Sequence, residues 1–307
     1  MRRTVPVLVS LAVLAAGATG CAGSAAGPAA SSGSTGSCPA APVSVAVTVN
    51  QWGDITRSLG GACATTTAII SSASVDPHDY EPTPRDTATL TRAQLVVENG
   101  AGYDEWATKA LATLGTQPTV VDAGEVVGVE AGGNPHLFYS PTYVTRTADA
   151  ITAQLSRLRP AAAAYFSQQN TAWKASMKPY DDALAQLRAS SSGKTYESTE
   201  TVADHLADAA GLTNVTPQRF ISASEAEQDP SPGDVAAFQR QLSSGKADVL
   251  LYNTQTEGAI PEQLRDAATD AGVPVVDVTE TVPESFPTYA AWQLSVVRQL
   301  AKAVGGS

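Results

Sequence analysis

Two of the three histidines stand directly after proline, although proline makes up 19 of the 307 residues. His78 follows Asp76 and a proline, and His136 follows Asn134 and a proline. Proline fixes its own backbone and biases the preceding residue toward extended conformations, so the next side chain is held stiffly. Neutral imidazole is a common ligand of transition metals and an unlikely one for Ca²⁺ or Mg²⁺. The paired motifs therefore favour a transition-metal site over two unrelated loop histidines.

Two glutamates occupy matching places in the second half of the chain. Glu200 follows a predicted strand at 194–199, and Glu280 follows a predicted strand at 274–279. Ligands of open α/β sheets bind beyond the carboxyl ends of strands, where both acids and His78 are expected. Each glutamate alone could equally be a solvated acid or a charge at a helix start. Together with the two histidines they predict a closed site of two nitrogen and two oxygen ligands.

The elements that must position these side chains alternate between strand and helix, which indicates parallel sheets covered by helices. The predicted strands are 43–49, 65–70, 95–98, 119–122, 194–199, 247–252 and 274–279. The predicted helices are 52–59, one that starts at 83–84, 104–114, 202–210, one capped by Ser231, 261–271 and 289–304. Residues 142–189 have helical periodicity with a break near 159–160, and their aromatic residues are expected in the core. The sequence thus predicts two α/β lobes joined by a helical segment.

The first 41 residues have the composition of an export signal and a tether. Arg2 and Arg3 precede an apolar run at 5–16 that is too short to span a membrane and fits a signal peptide at 1–20. Cys21 follows Ala-Thr-Gly, which resembles a bacterial lipobox, so we expect Cys21 to be lipidated; the alternative is ordinary cleavage with loss of Cys21. Residues 21–41 are uncharged and predict a flexible tether that holds the body near the membrane.

Charge and cysteine content narrow the function classes. The net charge is −11, and an acidic chain is a poor partner for a nucleic-acid backbone. A glycine-rich phosphate loop is absent from the sequence, which argues against nucleotide chemistry. Cys38 and Cys63 precede the first two predicted strands, which a parallel sheet could bring together in an oxidising compartment. We expect a disulfide between them, with two inert thiols as the alternative.

The histidine motifs resemble those of a known family. Residues 76–86 (DPHDYEPTPRD) and 134–141 (NPHLFYSP) are similar to the first and second ligand motifs of the zinc/manganese solute-binding lipoproteins of ABC metal importers. Residues 95–100 (LVVENG) are similar to the strand and turn between those motifs. The resemblance extends over about 43–304. It implies a class III periplasmic-binding-protein-like fold, two α/β lobes joined by a long rigid helix.

The resemblance also implies a ligand set. His78 and His136 carry the first two positions, and Glu200 matches the third because it lies eleven residues before Gly211. Glu280 takes the fourth, where the family usually has aspartate; a histidine-rich loop of many zinc members is missing. Glu197 is an alternative third ligand. Asp204 is expected to be an outer acid on the same helix face as Glu200, and His205 a packed or surface residue.

The resemblance implies a function and a domain division. The chain would be a monomeric extracytoplasmic lipoprotein that captures Zn²⁺ or Mn²⁺ between its lobes and delivers it to an ABC permease, without catalysis. The alternatives are a metal-independent adhesin or binding module and, less favoured, an exported metallohydrolase. The expected divisions are 1–20 (signal peptide), 21–41 (tether), 42–158 (first lobe), 159–190 (connecting helix) and 191–307 (second lobe).

Overall fold

The computed structural model describes residues 36–72, 77, 80–115, 117–226, 228–256 and 258–305. The predicted signal peptide, the predicted lipidation site Cys21 and the predicted ligand His78 lie outside the described residues. The strands are β1 Val43–Val49, β2 Ala64–Ile70, β3 Leu95–Glu98, β4 Thr119–Asp122, β5 Thr195–Ser198, β6 Thr213–Asn214, β7 Val249–Asn253 and β8 Val275–Val278. The helices are α1 Asn50–Gly60, α2 Pro84–Arg92, α3 Glu105–Ala112, α4 Ala123–Val127, α5 Pro141–Leu158, α6 Ala163–Ser190, α7 Asp204–Ala209, α8 Gln218–Glu225, α9 Pro232–Ser243, α10 Ala259–Asp270 and α11 Tyr289–Ala303.

The first sheet is parallel, with the strand order β2-β1-β3-β4. In its centre Val47 of β1 lies opposite Ala68 of β2 and Val97 of β3. β1 and β3 are buried along nearly their whole length, as expected for strands covered by helices on both faces. The chain leaves β1 first toward β2 and later toward β3, so the winding direction changes between β1 and β3.

The second sheet repeats this topology, with the parallel order β6-β5-β7-β8. Tyr196 of β5 lies opposite Asn214 of β6 and Val249 of β7. The winding direction therefore changes between β5 and β7. In open α/β sheets such a change creates a crevice at the carboxyl ends of the strands, where ligands bind. This repeat of topology is not visible as a repeat of sequence.

The 28-residue helix α6 connects the two halves of the chain. Its buried side chains recur at helical spacing and include Trp173, Met177, Tyr180 and Leu184. They pack α6 against α1, α5 and α11, so the aromatic residues of this segment belong to the core. Both sheets and α6 are parts of one compact unit that begins at Gly36.

Alternating residues of β7 divide the apolar interior into two clusters. Val249 and Leu251 join the main core, which also contains the strands of the first sheet. Leu250 points to the opposite face and packs with Phe238 and Leu264 under α9 and α10. The period of two along a strand is the reason that one run of apolar residues serves two cores.

Cys38 and Cys63 are joined by a disulfide, with their Cα atoms 5.0 Å apart. Cys63 is fully buried and lies directly before β2, and Cys38 lies ahead of β1, with which β2 pairs. The bond therefore links the segment before β1 to the start of β2, an edge strand of the first sheet.

The predicted fold class is confirmed: two parallel α/β sheets accompany a long helix. Thr83 begins α2 with a capping box, and the Ser231 side chain accepts from the backbone of Asp234 at the start of α9. The predicted helix at 202–210 is in fact a 3₁₀ turn at Thr201–Ala203 followed by the short α7. β6 and α8 were not predicted. In the case of β6 the reason is that a two-residue strand has no measurable periodicity. Among the described residues, no helix is long and apolar enough to cross a membrane.

Candidate metal site

His136 lies in the loop between α4 and α5, and it is 5 % exposed. The Asn134 side-chain oxygen accepts from the His136 backbone N–H at 3.0 Å and lies 2.8 Å from its Nδ1. Because an amide oxygen can only accept, Nδ1 is assigned as the donor in this contact. Nε2 lies 3.6 Å from Oε2 of Glu280. Asn134 thus closes the turn and orients the imidazole.

The turn after β3 is hydrogen-bonded to the loop that carries His136. The Asn99 side chain donates to the carbonyl oxygen of Pro135 at 2.9 Å and accepts from the Trp52 indole N–H at 3.0 Å. The Asp104 carboxylate accepts from the backbone N–H groups of Asn99 and Gly100. Gly100 has φ +69°, and a Cβ there would lie 1.9 Å from the Asp122 carboxylate. Position 100 is therefore restricted to glycine, both by its positive φ and by the lack of space for a Cβ.

Glu280 follows β8 and is 6 % exposed. Its backbone N–H donates to the Gln255 side-chain oxygen at 2.6 Å, and Thr281 donates to the same oxygen at 3.0 Å. Its Oε2 accepts from the Tyr103 hydroxyl at 3.1 Å, and its Oε1 accepts from the Asn253 amide at 3.1 Å. Residues of both sheets therefore hold this carboxylate in place.

Glu200 follows β5 in extended backbone conformation. Its Oε2 accepts from the Asn253 amide at 2.6 Å, and its Oε1 accepts from the hydroxyl of Thr256. Burial raises the pKa of Glu200, and the nearby Glu280 acts in the same direction, whereas the two hydrogen bonds lower it. A cation in contact with both carboxylates would reverse that penalty, because it favours their charged forms.

The structure brings three of the four predicted ligands into one polar cluster. His136 comes from the loop between α4 and α5 and lies beside Glu280. Glu200 and Glu280 accept hydrogen bonds from the same Asn253 amide. Glu200 follows β5 and Asn253 ends β7, and the winding direction of the second sheet changes between these two strands. Across the part of the chain that is described, no three His, Cys, Asp or Glu side chains form a ready metal-binding group. His78 lies outside the described residues.

The other residues that the sequence singled out have partners of their own. Glu197 is fully buried on β5, and the Gln241 amide donates to its Oε1 at 3.0 Å. Asp204 is within 3.5 Å of the Ser198 hydroxyl and accepts from Asn214 at 3.2 Å. His205 Nε2 lies 3.2 Å from the Asn134 carbonyl oxygen, and its ring packs edge-on against Tyr143. His205 is thus packed against the His136 loop.

Several residues that hold the cluster together were missed from the sequence. They are Tyr103, Asn253, Gln255 and Thr256. Asn253, Gln255 and Thr256 were detectable by the argument used for the glutamates, since they directly follow the predicted strand at 247–252. Tyr103 carried no such signal, because its contact with Glu280 joins residues that are 177 positions apart.

Fold and site together define a class: an α/β binding protein with a polar ligand site formed by residues from two parallel sheets. The sequence model of the family described as "Zinc-uptake complex component A periplasmic" (ZnuA) matches residues 45–303. The chain belongs to this family of metal-binding transport proteins.

Individual relatives are distant but similar over much of their length. The chain is 22 % identical over 215 residues to the high-affinity zinc uptake system protein ZnuA of Bacillus subtilis, a match that spans 64 % of this chain and 66 % of that protein. It is 24 % identical over 280 residues to the iron-binding protein YfeA of Yersinia pestis, across 87 % and 88 % of the two chains. The solved structure of FpvC from Pseudomonas aeruginosa in complex with Mn²⁺ superposes with a TM-score of 0.72 at 21 % identity, and the match spans 86 % of this chain and 98 % of that one.

Proposed function

We propose that this protein captures a divalent transition metal, Zn²⁺ or Mn²⁺, between its two sheets and delivers it to an ABC permease. The proposed ligands are His78, His136, Glu200 and Glu280. The cluster of His136, Glu280 and Glu200 around the Asn253 amide carries this proposal. A zinc-uptake family, and relatives named for zinc and iron, support a metal as cargo.

The donor set suits transition metals because it combines imidazole with carboxylate. One imidazole nitrogen and two carboxylates would satisfy Zn²⁺ with a fourth donor, and His78 would supply it. Mn²⁺ fits the same residues when a carboxylate gives both oxygens. Ca²⁺ and Mg²⁺ prefer all-oxygen sites and should be rejected.

The proposed location is the outer face of the cell membrane. Residues 1–20 would be removed on export, and a lipid on Cys21 would anchor the chain through residues 21–41. Removal of Arg2 and Arg3 makes the exported chain still more acidic. We further propose that the protein works as a monomer. We also propose that it is not a catalyst, because four protein ligands leave no open position for a reacting water.

A melting experiment on the metal-stripped protein tests the proposal. Zn²⁺ or Mn²⁺ should raise the melting temperature by several degrees, because a ligand at 100 times its Kd adds about 2.7 kcal/mol of stability. Ca²⁺ and Mg²⁺ should leave it unchanged. Glu200→Gln should lower metal affinity by about tenfold or more, because an amide is a poorer ligand than a carboxylate.

Glu197→Gln is the matched control for that variant. It removes a buried carboxylate of β5, three residues before Glu200, that accepts from the Gln241 amide. Its metal affinity should equal that of the unmodified protein. Loss of affinity in Glu197→Gln but not in Glu200→Gln would make Glu197 the third ligand. A protein that responds to none of the four ions has no such site, and a metal-independent binding module would take its place.

A further inference from the structure

Asn253 has a fixed orientation at the end of β7, where it is 1 % exposed. Its side-chain oxygen accepts from the backbone N–H of Gln255 at 3.0 Å, and its own backbone N–H donates to the Thr199 hydroxyl at 3.1 Å. A backbone N–H can only donate, so the amide oxygen must face Gln255. The amide NH₂ group consequently faces the opposite way.

That NH₂ group is shared between two carboxylates. It donates to Oε2 of Glu200 at 2.6 Å and to Oε1 of Glu280 at 3.1 Å. The remaining oxygens have other neighbours, since Glu200 Oε1 accepts from the Thr256 hydroxyl and Glu280 Oε2 faces His136 Nε2. One neutral side chain therefore holds one oxygen of each glutamate and separates two groups that would otherwise repel.

We infer that Asn253 is a positioning residue that restricts Glu200 and Glu280 to ligation through one oxygen each. The inference rests on the proposed metal-capture function. Such carboxylates suit four-coordinate Zn²⁺, whereas Mn²⁺ gains from carboxylates that turn both oxygens toward the ion. An amide hydrogen bonded to one oxygen opposes that rotation. Asn253 thus shifts selectivity toward Zn²⁺.

The test compares two affinities in one variant. Kd values for Zn²⁺ and Mn²⁺ are measured by competition with a chromogenic chelator, for the unmodified protein and for Asn253→Ala. The ratio Kd(Mn²⁺)/Kd(Zn²⁺) should fall by about tenfold, because released carboxylates can turn both oxygens toward the larger ion. X-ray absorption of the Mn²⁺-loaded variant should show more oxygen neighbours than in the unmodified protein.

Asn170→Ala is the matched control. Asn170 also donates its amide to a carboxylate, Asp149 at 2.7 Å, but that pair lies on the exposed surfaces of α5 and α6. Its selectivity ratio should be unchanged. Metal-free melting temperatures establish that each variant is folded. If Asn253→Ala is unfolded, Asn253→Ser carries the test, since it also removes the amide shared by the two carboxylates and should lower the same ratio.

The outcomes separate this inference from the proposed function. An unmodified protein that binds neither metal, or a Glu200→Gln variant that binds as well as the unmodified protein, overturns the capture site itself. Normal binding, with loss in Glu200→Gln but the same selectivity ratio in folded Asn253→Ala or Asn253→Ser, overturns only the role of Asn253. A lower ratio with an unchanged control supports it.

Discussion

At the scale of single residues, the cluster depends on polar side chains that hold other polar side chains. Asn134 orients the His136 ring, Asn253 holds two carboxylates, and Gln255 receives the backbone of Glu280. Buried polar groups are costly unless they are hydrogen-bonded, so these partners are needed for the cluster to be buried at all. A metal would then meet ligands whose orientation is already set.

A buried acid away from the cluster makes stability depend on pH. Glu98 ends β3 at 4 % exposure, and its pKa is raised to about 8, by burial and by the negative charges of Asp104 and Asp122. Between pH 4.5 and about 8, the folded state keeps a proton that the unfolded state has lost. The free energy of unfolding should therefore fall as pH rises through this window.

Glu98→Gln should remove that loss. As pH rises from 5 to 8, the free energy of unfolding of the unmodified protein should fall relative to that of the variant by on the order of 2 to 4 kcal/mol. Urea unfolding at several pH values measures it. Glu105→Gln serves as control, since Glu105 is exposed and paired with Lys109. An equal pH slope in Glu98→Gln and the unmodified protein would show that Glu98 is ionised at neutral pH.

At the scale of elements, the edge of the first sheet is tied by a covalent bond. The disulfide joins residues 25 positions apart and fastens the segment before β1 to the turn that enters β2. Closing a loop of this length in the unfolded chain is worth about 3 to 4 kcal/mol in the chain-entropy description.

Reduction of this disulfide should therefore lower the free energy of unfolding by about 3 to 4 kcal/mol. Urea unfolding with and without a phosphine reductant measures the change. A Cys38→Ser/Cys63→Ser double variant should be equally destabilised and indifferent to the reductant. The double variant retains Cys21, so a continued response to reductant would assign the effect elsewhere in the chain.

At the scale of the whole molecule, the loop that carries Glu280 is fastened to the first half of the chain. Asn50 exchanges two 3.0 Å hydrogen bonds with the backbone of Val282, and Asp54 accepts from the backbone of Tyr289 at 2.7 Å. The Tyr139 hydroxyl donates to the Thr279 carbonyl at 2.8 Å. These bonds, together with α6, oppose a large separation of the two sheets.

Metal capture should therefore change the overall shape little. We expect the radius of gyration in solution scattering to differ by about 1 Å or less between the metal-free and the Zn²⁺-loaded protein, because hinge closure needs a free hinge. A difference of several ångströms would show that these bonds break when the metal leaves. Asn50→Ala, which removes two of them, should increase the difference.

The sequence by itself determined the alternation of strands and helices, because periodicity and capping residues are local properties. β3 and β4 have the predicted bounds, and α2 begins at the predicted Thr83 cap. Local context likewise indicated the candidate ligands: His136 by the proline before it, and Glu200 and Glu280 by their positions just after predicted strands.

The tertiary structure alone decided which partners the residues at that edge have. The contact of Tyr103 with Glu280 and the shared amide of Asn253 join distant parts of the chain. Periodicity reports the face on which a side chain lies but not its partner across the fold. The common strand order of the two sheets was also undetectable, because hydrogen bonding between backbones sets topology and leaves the side chains free to differ.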